Sequence, residues 1–256
     1  MWRLLLLLLC ISLCVVSCRK KNDAVTPPPA PNPPPVHISI ENIVGSEVLT
    51  LNNEDWYLNA YGDSFKISNY KYYLSNFSLT RSDDSIFYEP ESYHLIDAGD
   101  TASTAFTLSD LPEGNYKSIR FLIGVDAERN TSGAQTGALD PGHGMFWDWN
   151  TGYIMAKMEG TSPSSPVDIF SYRIGGFSGH DNVLRWVTLE FPQELIIAKG
   201  KTASISLHAD ALEWFKTPHL VSINDLIAIG GKGNEAIMLA DNYSGMFRVH
   251  QIESAK

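Results

Sequence analysis

Two residue pairs in this chain carry side chains that suit a soft metal ion. His143 and Met145 stand two apart in the run Gly142-His143-Gly144-Met145, and an imidazole beside a thioether suits Cu(I). His180 and Asp181 adjoin in Gly179-His180-Asp181-Asn182, where the carboxylate can orient the ring by accepting its second N–H. Each pair also has a plainer reading. Both histidines can be exposed loop residues, with Met145 filling a gap beneath Trp147 and Trp149. Those tryptophans, at i and i+2, fall on one face of a strand and can close an end of the fold. Exposed, they would suit stacking on sugar rings.

Other chemical signatures fail on spacing. The stretch from Asp126 to Gly133 alternates oxygen side chains as a calcium loop does. However, Thr131 stands where the sixth-position glycine belongs and Gly137 where the twelfth-position glutamate belongs. Gly176-Phe177-Ser178-Gly179-His180 mimics a nucleophile elbow, but His180 replaces its last glycine. Neither a His-Glu-x-x-His pair nor a phosphate-binding glycine loop occurs. His208 and Asp210 share one strand face, a structural pairing, and His37, His94, His219 and His250 have no partner at ligand spacing. The chain reads as a binding protein, not an enzyme.

The elements that must position these residues are strands. Val36, Ile38 and Ile40 alternate with His37, Ser39 and Glu41, the period of a half-buried strand. Residues 65–79 carry aromatics and aliphatics with polar interleaving and predict two strand segments across a bend. Strands are also expected at 85–88, 93–97, 116–125, 154–158, 168–174, 184–191 and 202–212. Leu111-Pro112-Glu113-Gly114 supplies turn chemistry ahead of the strand at 116. Residues 234–247 predict a short C-terminal helical segment with Asn234 as its cap. The pattern is all-β: a β-sandwich, Greek-key or jelly-roll-like, with long loops at 126–150 and 175–182. Long loops on a β scaffold are where function concentrates.

The domain begins after two other segments. Residues 1–17 form a cationic start and an apolar core too short to span a membrane, as in a signal peptide. Val15-Val16-Ser17-Cys18 matches a bacterial lipobox, with Cys18 the lipidated residue. Residues 18–35 then form a tether, and seven of the nine residues from Pro27 to Pro35 are proline. Such a run extends at ~3.1 Å per residue. Residues 36–256 are left for the sandwich. All three cysteines (Cys10, Cys14 and Cys18) precede it, so neither a disulfide nor a thiolate metal site can form within it. The net charge of -10 excludes a basic nucleic-acid footprint. Membrane attachment through the lipid is expected, as an outer-membrane lipoprotein facing the periplasm or the cell surface.

Several motifs recur in an order that resembles one family. They are Tyr72-Tyr73-Leu74-Ser75-Asn76-Phe77, Leu111-Pro112-Glu113-Gly114-Asn115-Tyr116 and the core Gly144-Met145-Phe146-Trp147-Asp148-Trp149-Asn150-Thr151-Gly152-Tyr153. Phe170-Ser171-Tyr172-Arg173-Ile174-Gly175-Gly176 and Asp241-Asn242-Tyr243-Ser244-Gly245-Met246-Phe247 complete the set. Together they resemble the MbnP-like family, related to methanobactin-associated and surface copper proteins of methane-oxidising bacteria. The resemblance implies a secreted β-sandwich. It also implies copper held by two histidines near an oxidisable tryptophan, and a di-haem peroxidase-like partner. The positions expected for the two histidines hold Ser75 and Arg173 here, and arginine stays protonated and offers no lone pair. What the resemblance implies is therefore the family scaffold with its copper positions replaced. Copper would be left to His143, Met145, His180 and Asp181. The alternatives are a non-metal interaction or structural lipoprotein, or a carbohydrate-binding one.

Overall fold

Alternation of apolar and polar residues builds the strands, and the computed structural model describes them over residues 35–133, 135–148 and 152–254. The expected leader, Cys18 and the proline-rich run through residue 34 lie outside the described residues, as does Trp149. In chain order the strands are β1 (Val36–Val44), β2 (Glu47–Val48), β3 (Tyr57–Leu58), β4 (Ser64–Arg81) and β5 (Ile86–Tyr88). Then follow β6 (Tyr93–Asp97), β7 (Ala105–Leu108), β8 (Gly114–Ile123), β9 (Phe146–Asp148) and β10 (Gly152–Thr161). The last are β11 (Ile169–Gly175), β12 (Arg185–Ile197), β13 (Ala203–Asp210), β14 (Ala228–Gly231) and β15 (Phe247–Glu253). Two helices, α1 (Ala127–Thr131) and α2 (Asn234–Tyr243), interrupt them.

The strands form a β-sandwich of two sheets. The smaller runs β15-β13-β1-β2, with β7 also on β1. The larger runs β12-β8-β4-β10-β11-β14, with β3, β5 and β6 on β4 and β9 on β10. In β1, Val36, Ile38 and Ile40 point into the core while His37, Ser39 and Glu41 point out, as the alternation predicts. Aromatic rings fill the space between the sheets. Phe65 of β4 packs on Phe215 at 5.0 Å. Tyr72 of β4 and Phe121 of β8 meet Phe247 of β15 at 5.8 and 5.0 Å. Their polar ends are satisfied, as buried Tyr and Trp require. The Tyr72 hydroxyl donates to Asn42 Oδ1 (2.7 Å), and Trp214 Nε1 donates to the Tyr70 hydroxyl (3.2 Å).

Where the structure differs from the sequence expectations, local chemistry gives the reason. Residues 65–79 are not two strands but part of one, β4. The expected bend is present inside it: Asn76 adopts φ 54° and the register with β8 shifts between Ser75 and Ser78. β12 runs on past residue 191 through Pro192, which falls within the register shift between Glu190 and Leu195, where a missing N–H costs no ladder bond. Helix α2 starts as expected, but its cap is Gly233 (φ 134°), with no side-chain bond, and Asn234 is already helical.

Asn242 of α2 locks the chain crossing between the sheets. Wholly buried, its Nδ2 donates to the carbonyls of Trp214 (2.9 Å) and His219 (2.7 Å), and its Oδ1 accepts from the His219 N–H (2.8 Å). Asn242→Ala leaves the Trp214 carbonyl buried without that partner and removes two bonds to the backbone of the exposed His219. It should lower unfolding free energy by about 2–4 kcal/mol, read as a shift of the urea midpoint without a change in slope. A shift below the error of that measurement would refute the role.

Candidate functional site

The candidate site lies on the outer face of the larger sheet, beneath the long loop. Along β4, Tyr70 and Tyr72 point into the core, so Lys71, Tyr73 and Ser75 point outward. Yet Tyr73 and Ser75 have no exposed surface. Described residues of the segment between β8 and β9 cover them. The Tyr73 hydroxyl donates to the Ala138 carbonyl (3.1 Å) and the Tyr153 hydroxyl to that of Leu139 (2.7 Å). Their rings meet edge-on at 5.6 Å, and Phe146 adds a third ring on Tyr153 at 4.9 Å.

A row of charge runs from the edge of that cover outward, with its middle member buried and Arg173 exposed. Lys71 of β4, Lys157 of β10 and Arg173 of β11 stand side by side in register. Lys71 pairs with Asp97 of β6 (2.8 Å) and Arg173 with Glu159 (2.7 Å). Lys157, between them, is 7% exposed and donates to the Gly144 carbonyl at 2.7 Å. Burial pushes its ammonium below the usual lysine range, opposed by Glu159 and reinforced by Arg173 and Lys71. Glu159 behaves oppositely. Burial works against its charge, but hydrogen bonds from Arg173, Ser171 and Asn69 hold its carboxyl below the usual range.

Asp126 anchors the loop's first turn. Its carboxylate accepts from the Tyr93 hydroxyl (2.5 Å), Asn76 Nδ2 (2.9 Å) and the Arg129 N–H (3.0 Å), the last as the cap of α1. The run once compared with a calcium loop is thus a capped helix whose acid is satisfied by protein donors. Beside it a cavity of about 440 Å³ is lined by Glu91, Tyr93, Arg129, Gln135, Thr136 and Leu139, with Arg129 paired to Glu91 across it.

The residues singled out in the sequence are distributed as follows. Met145 is wholly buried. His143 lies exposed in a turn, its Nε2 3.0 Å from the Gly137 carbonyl. His180 is 80% exposed and 3.7 Å from Asp181, which is itself 3.2 Å from Lys232. The ring of Trp147 rests against Gly175, where a Cβ would collide with it, and the Asp181 carbonyl approaches Gly176 (φ 117°) equally closely. The paired glycines after Arg173-Ile174 therefore serve backbone approach. Among the described residues no group of three or more His, Cys, Asp or Glu could hold a metal ion.

Copper does not fit the two positions the resemblance points to. The Ser75 hydroxyl donates to the Gly124 carbonyl (2.8 Å), and Arg173 is a paired cation. Nor do they converge. Arg173 is level with Lys71, while Ser75 lies four residues further along β4. That is roughly 13 Å along the strand, with two strand spacings across.

The MbnP family profile matches residues 33–234. The chain belongs to the MbnP family. Its fold is similar to that of MbnP from Methylosinus trichosporium, with a TM-score of 0.52 and 13% identity over 87% of this chain and 99% of that one. No match was found among curated proteins. The MbnP motif segments thus surround the covered face: Tyr73 and Ser75 beneath it, Met145 and Trp147 over it, Arg173 and Gly175 at its edge. Sequence reasoning gave no role to Lys157 or Glu159 and weighed Asp126 only as part of a calcium loop. The one available signal was a lysine inside the apolar run Ile154-Met155-Ala156-Lys157-Met158.

The Asp126 network makes acid stability testable. Burial disfavours the Asp126 charge, but its hydrogen bonds outweigh that and hold the carboxyl below its ordinary value of 3.8. The stabilisation is thus complete above that value and is lost as pH falls through the lower folded one. Asp126→Asn, which keeps a capping side chain, should unfold at lower urea than the parent at pH 7. The two should converge once the pH is below the folded value, where the carboxyl is protonated in both states. An equal gap at both pH values would count against the network.

Proposed function

We propose that this chain is a lipid-anchored extracytoplasmic binding protein of the MbnP family. Its two family copper positions have been given over to a hydrogen bond and an ion pair. The observation that carries this reading is the Arg173–Glu159 pair (2.7 Å): a cation covalently held by the protein stands where the resemblance expects a metal ligand, with its countercharge alongside. Ser75, spent on the Gly124 carbonyl, supports the same reading. The scaffold is kept for contact with another protein, and the partner class the resemblance implies is a di-haem peroxidase-like redox protein. No catalytic role is assigned. The lipobox ending in Cys18 and the proline-rich run support attachment to the outer membrane, facing the periplasm or the cell surface. Among the described residues, no helix is long and apolar enough to cross a membrane.

Copper at His143 with Met145, or at His180 with Asp181, is the competing reading. Against it, Met145 is enclosed while His143 is exposed, and Asp181 already has Lys232. The full-length chain, loaded with Cu(I) or Cu(II) and desalted, should keep well under one copper per chain. His143→Ala with His180→Ala should leave that figure unchanged. One equivalent of copper that those replacements remove would overturn the assignment. Anchoring has its own test: Cys18→Ala should move the protein from the membrane fraction to the soluble fraction, because stable attachment needs the acyl chains. Retention in the membrane fraction would refute it.

A further inference from the structure

The other half of the larger sheet's outer face is not covered by that loop, although its small side chains Ser78 and Ser118 are themselves buried. Tyr88 of β5 stands opposite Ser78 of β4, Ser78 opposite Arg120 of β8, and Arg120 opposite Thr188 of β12. Phe77, Leu79 and Phe121 alternate with these residues and are wholly buried, so the rung faces outward. It spans roughly 14 Å across three strand spacings. Tyr88 at one end is 67% exposed, and Trp186, two residues before Thr188 and on the same face, is 50% exposed. Arg120 and Thr188 between them are exposed as well.

Arg120 differs from three other arginines of the domain and shares with Arg81, which donates to the Glu113 carbonyl and lies over the Tyr116 ring, the lack of a carboxylate partner among the described residues. Arg129, Arg173 and Arg185 each pair with a carboxylate. Arg120 has no ion-pair partner among the described residues; its guanidinium lies over the Trp186 indole, 4.3 Å from the ring centroid. Stacking of this kind holds the planar group in place and leaves its fork of N–H donors free for a carboxylate. Exposed aromatic faces on either side suit the apolar faces of sugar rings, and the Thr188 hydroxyl adds a neutral hydrogen-bonding group.

We propose that this face binds a carboxylate-bearing glycan. The fork of Arg120 takes a sugar carboxylate, while Tyr88 and Trp186 stack on rings to either side. Charge complementarity selects this occupant over a neutral glycan, because the one unpaired cation of the rung sits at its centre. The chain's net charge of -10 repels a polyanion elsewhere, so binding should depend on this rung alone. Carbohydrate recognition thus moves from Trp147, which is packed on Gly175, to Trp186. The inference does not depend on the copper reading.

The test is calorimetric titration of the full-length chain, in detergent, with a hexameric oligogalacturonate and with its methyl ester, which keeps the rings and removes the charge. The acid should bind saturably. The ester, and the acid on Arg120→Gln or Trp186→Ala, should bind about tenfold more weakly or worse, with circular dichroism unchanged. Arg120→Lys should fall between parent and Arg120→Gln, since it keeps the charge and loses the fork. No binding, equal binding of acid and ester, or full affinity in Arg120→Gln would overturn the proposal. So would a Trp186→Ala variant whose only change is conversion of a dimer to a monomer, which would give the face to a second copy.

Discussion

The middle of β4 has no solvent side, and most of the architecture follows from that. Tyr72, Tyr73, Leu74 and Ser75 are consecutive and all are wholly buried, although successive side chains of a strand point to opposite faces. One face is met by the smaller sheet and its aromatic rings. The other cannot be left to water, since a buried tyrosine whose hydroxyl finds no acceptor is costly. Described residues of the loop between β8 and β10 cover that face. Its carbonyls at Ala138 and Leu139 are the acceptors that Tyr73 and Tyr153 need. This also explains why a segment of such length stays close to the sheet: it is bonded at Asp126 at its start and at Gly144 towards its end.

The charges at the edge of that cover are under a constraint of their own. Lys157 lies in the centre of a cationic row and has a carbonyl, not a carboxylate, as its acceptor. Its neighbours have taken the two acids within reach, Asp97 and Glu159. Removing one member of such a row strands the others, whereas the intact set is neutralised at both ends. A positive metal ion beside Arg173 would add charge to a row already cationic. The electrostatics therefore argue against copper there more strongly than the loss of one imidazole does.

Much of this was legible in the sequence, and the limits are physical. Alternation announced β1, because half-buried strands have a period of two, and β6, β8, β11 and β13 were expected as short strands in a series broken by turn residues. The sandwich and the family followed from those strands and the glycine-tryptophan core. Edge pieces such as β2, β3, β9 and β14 are too short to show a period. The parallel pairings of β1 with β13 and of β11 with β14 join distant segments that no turn residue links. At the site, the reading of Ser75 and Arg173 as poor copper ligands stood on side-chain chemistry alone. Their separation, and the Glu159 beside Arg173, depend on register, which a single sequence does not encode in any local pattern.

The same strand that needs a cover on one half of its outer face leaves the other half open. Past Asn76 the β4 side chains that face outward become small, Ser78 and Thr80, and small residues impose no burial of their own. The neighbouring strands supply the large groups instead: Tyr88, Arg120 and Trp186, set across the sheet at strand spacing. The fold gives Arg129, Arg173 and Arg185 an acid each, whereas Arg81 and Arg120 lie over aromatic rings. Glu190 lies on the same face one rung away, opposite Ser118, yet Arg120 rests on the indole instead. The family motif and the open rung thus occupy different halves of the face. The motif residues are consumed in keeping β4 dry, and the groups still free to meet a ligand lie where that demand ends.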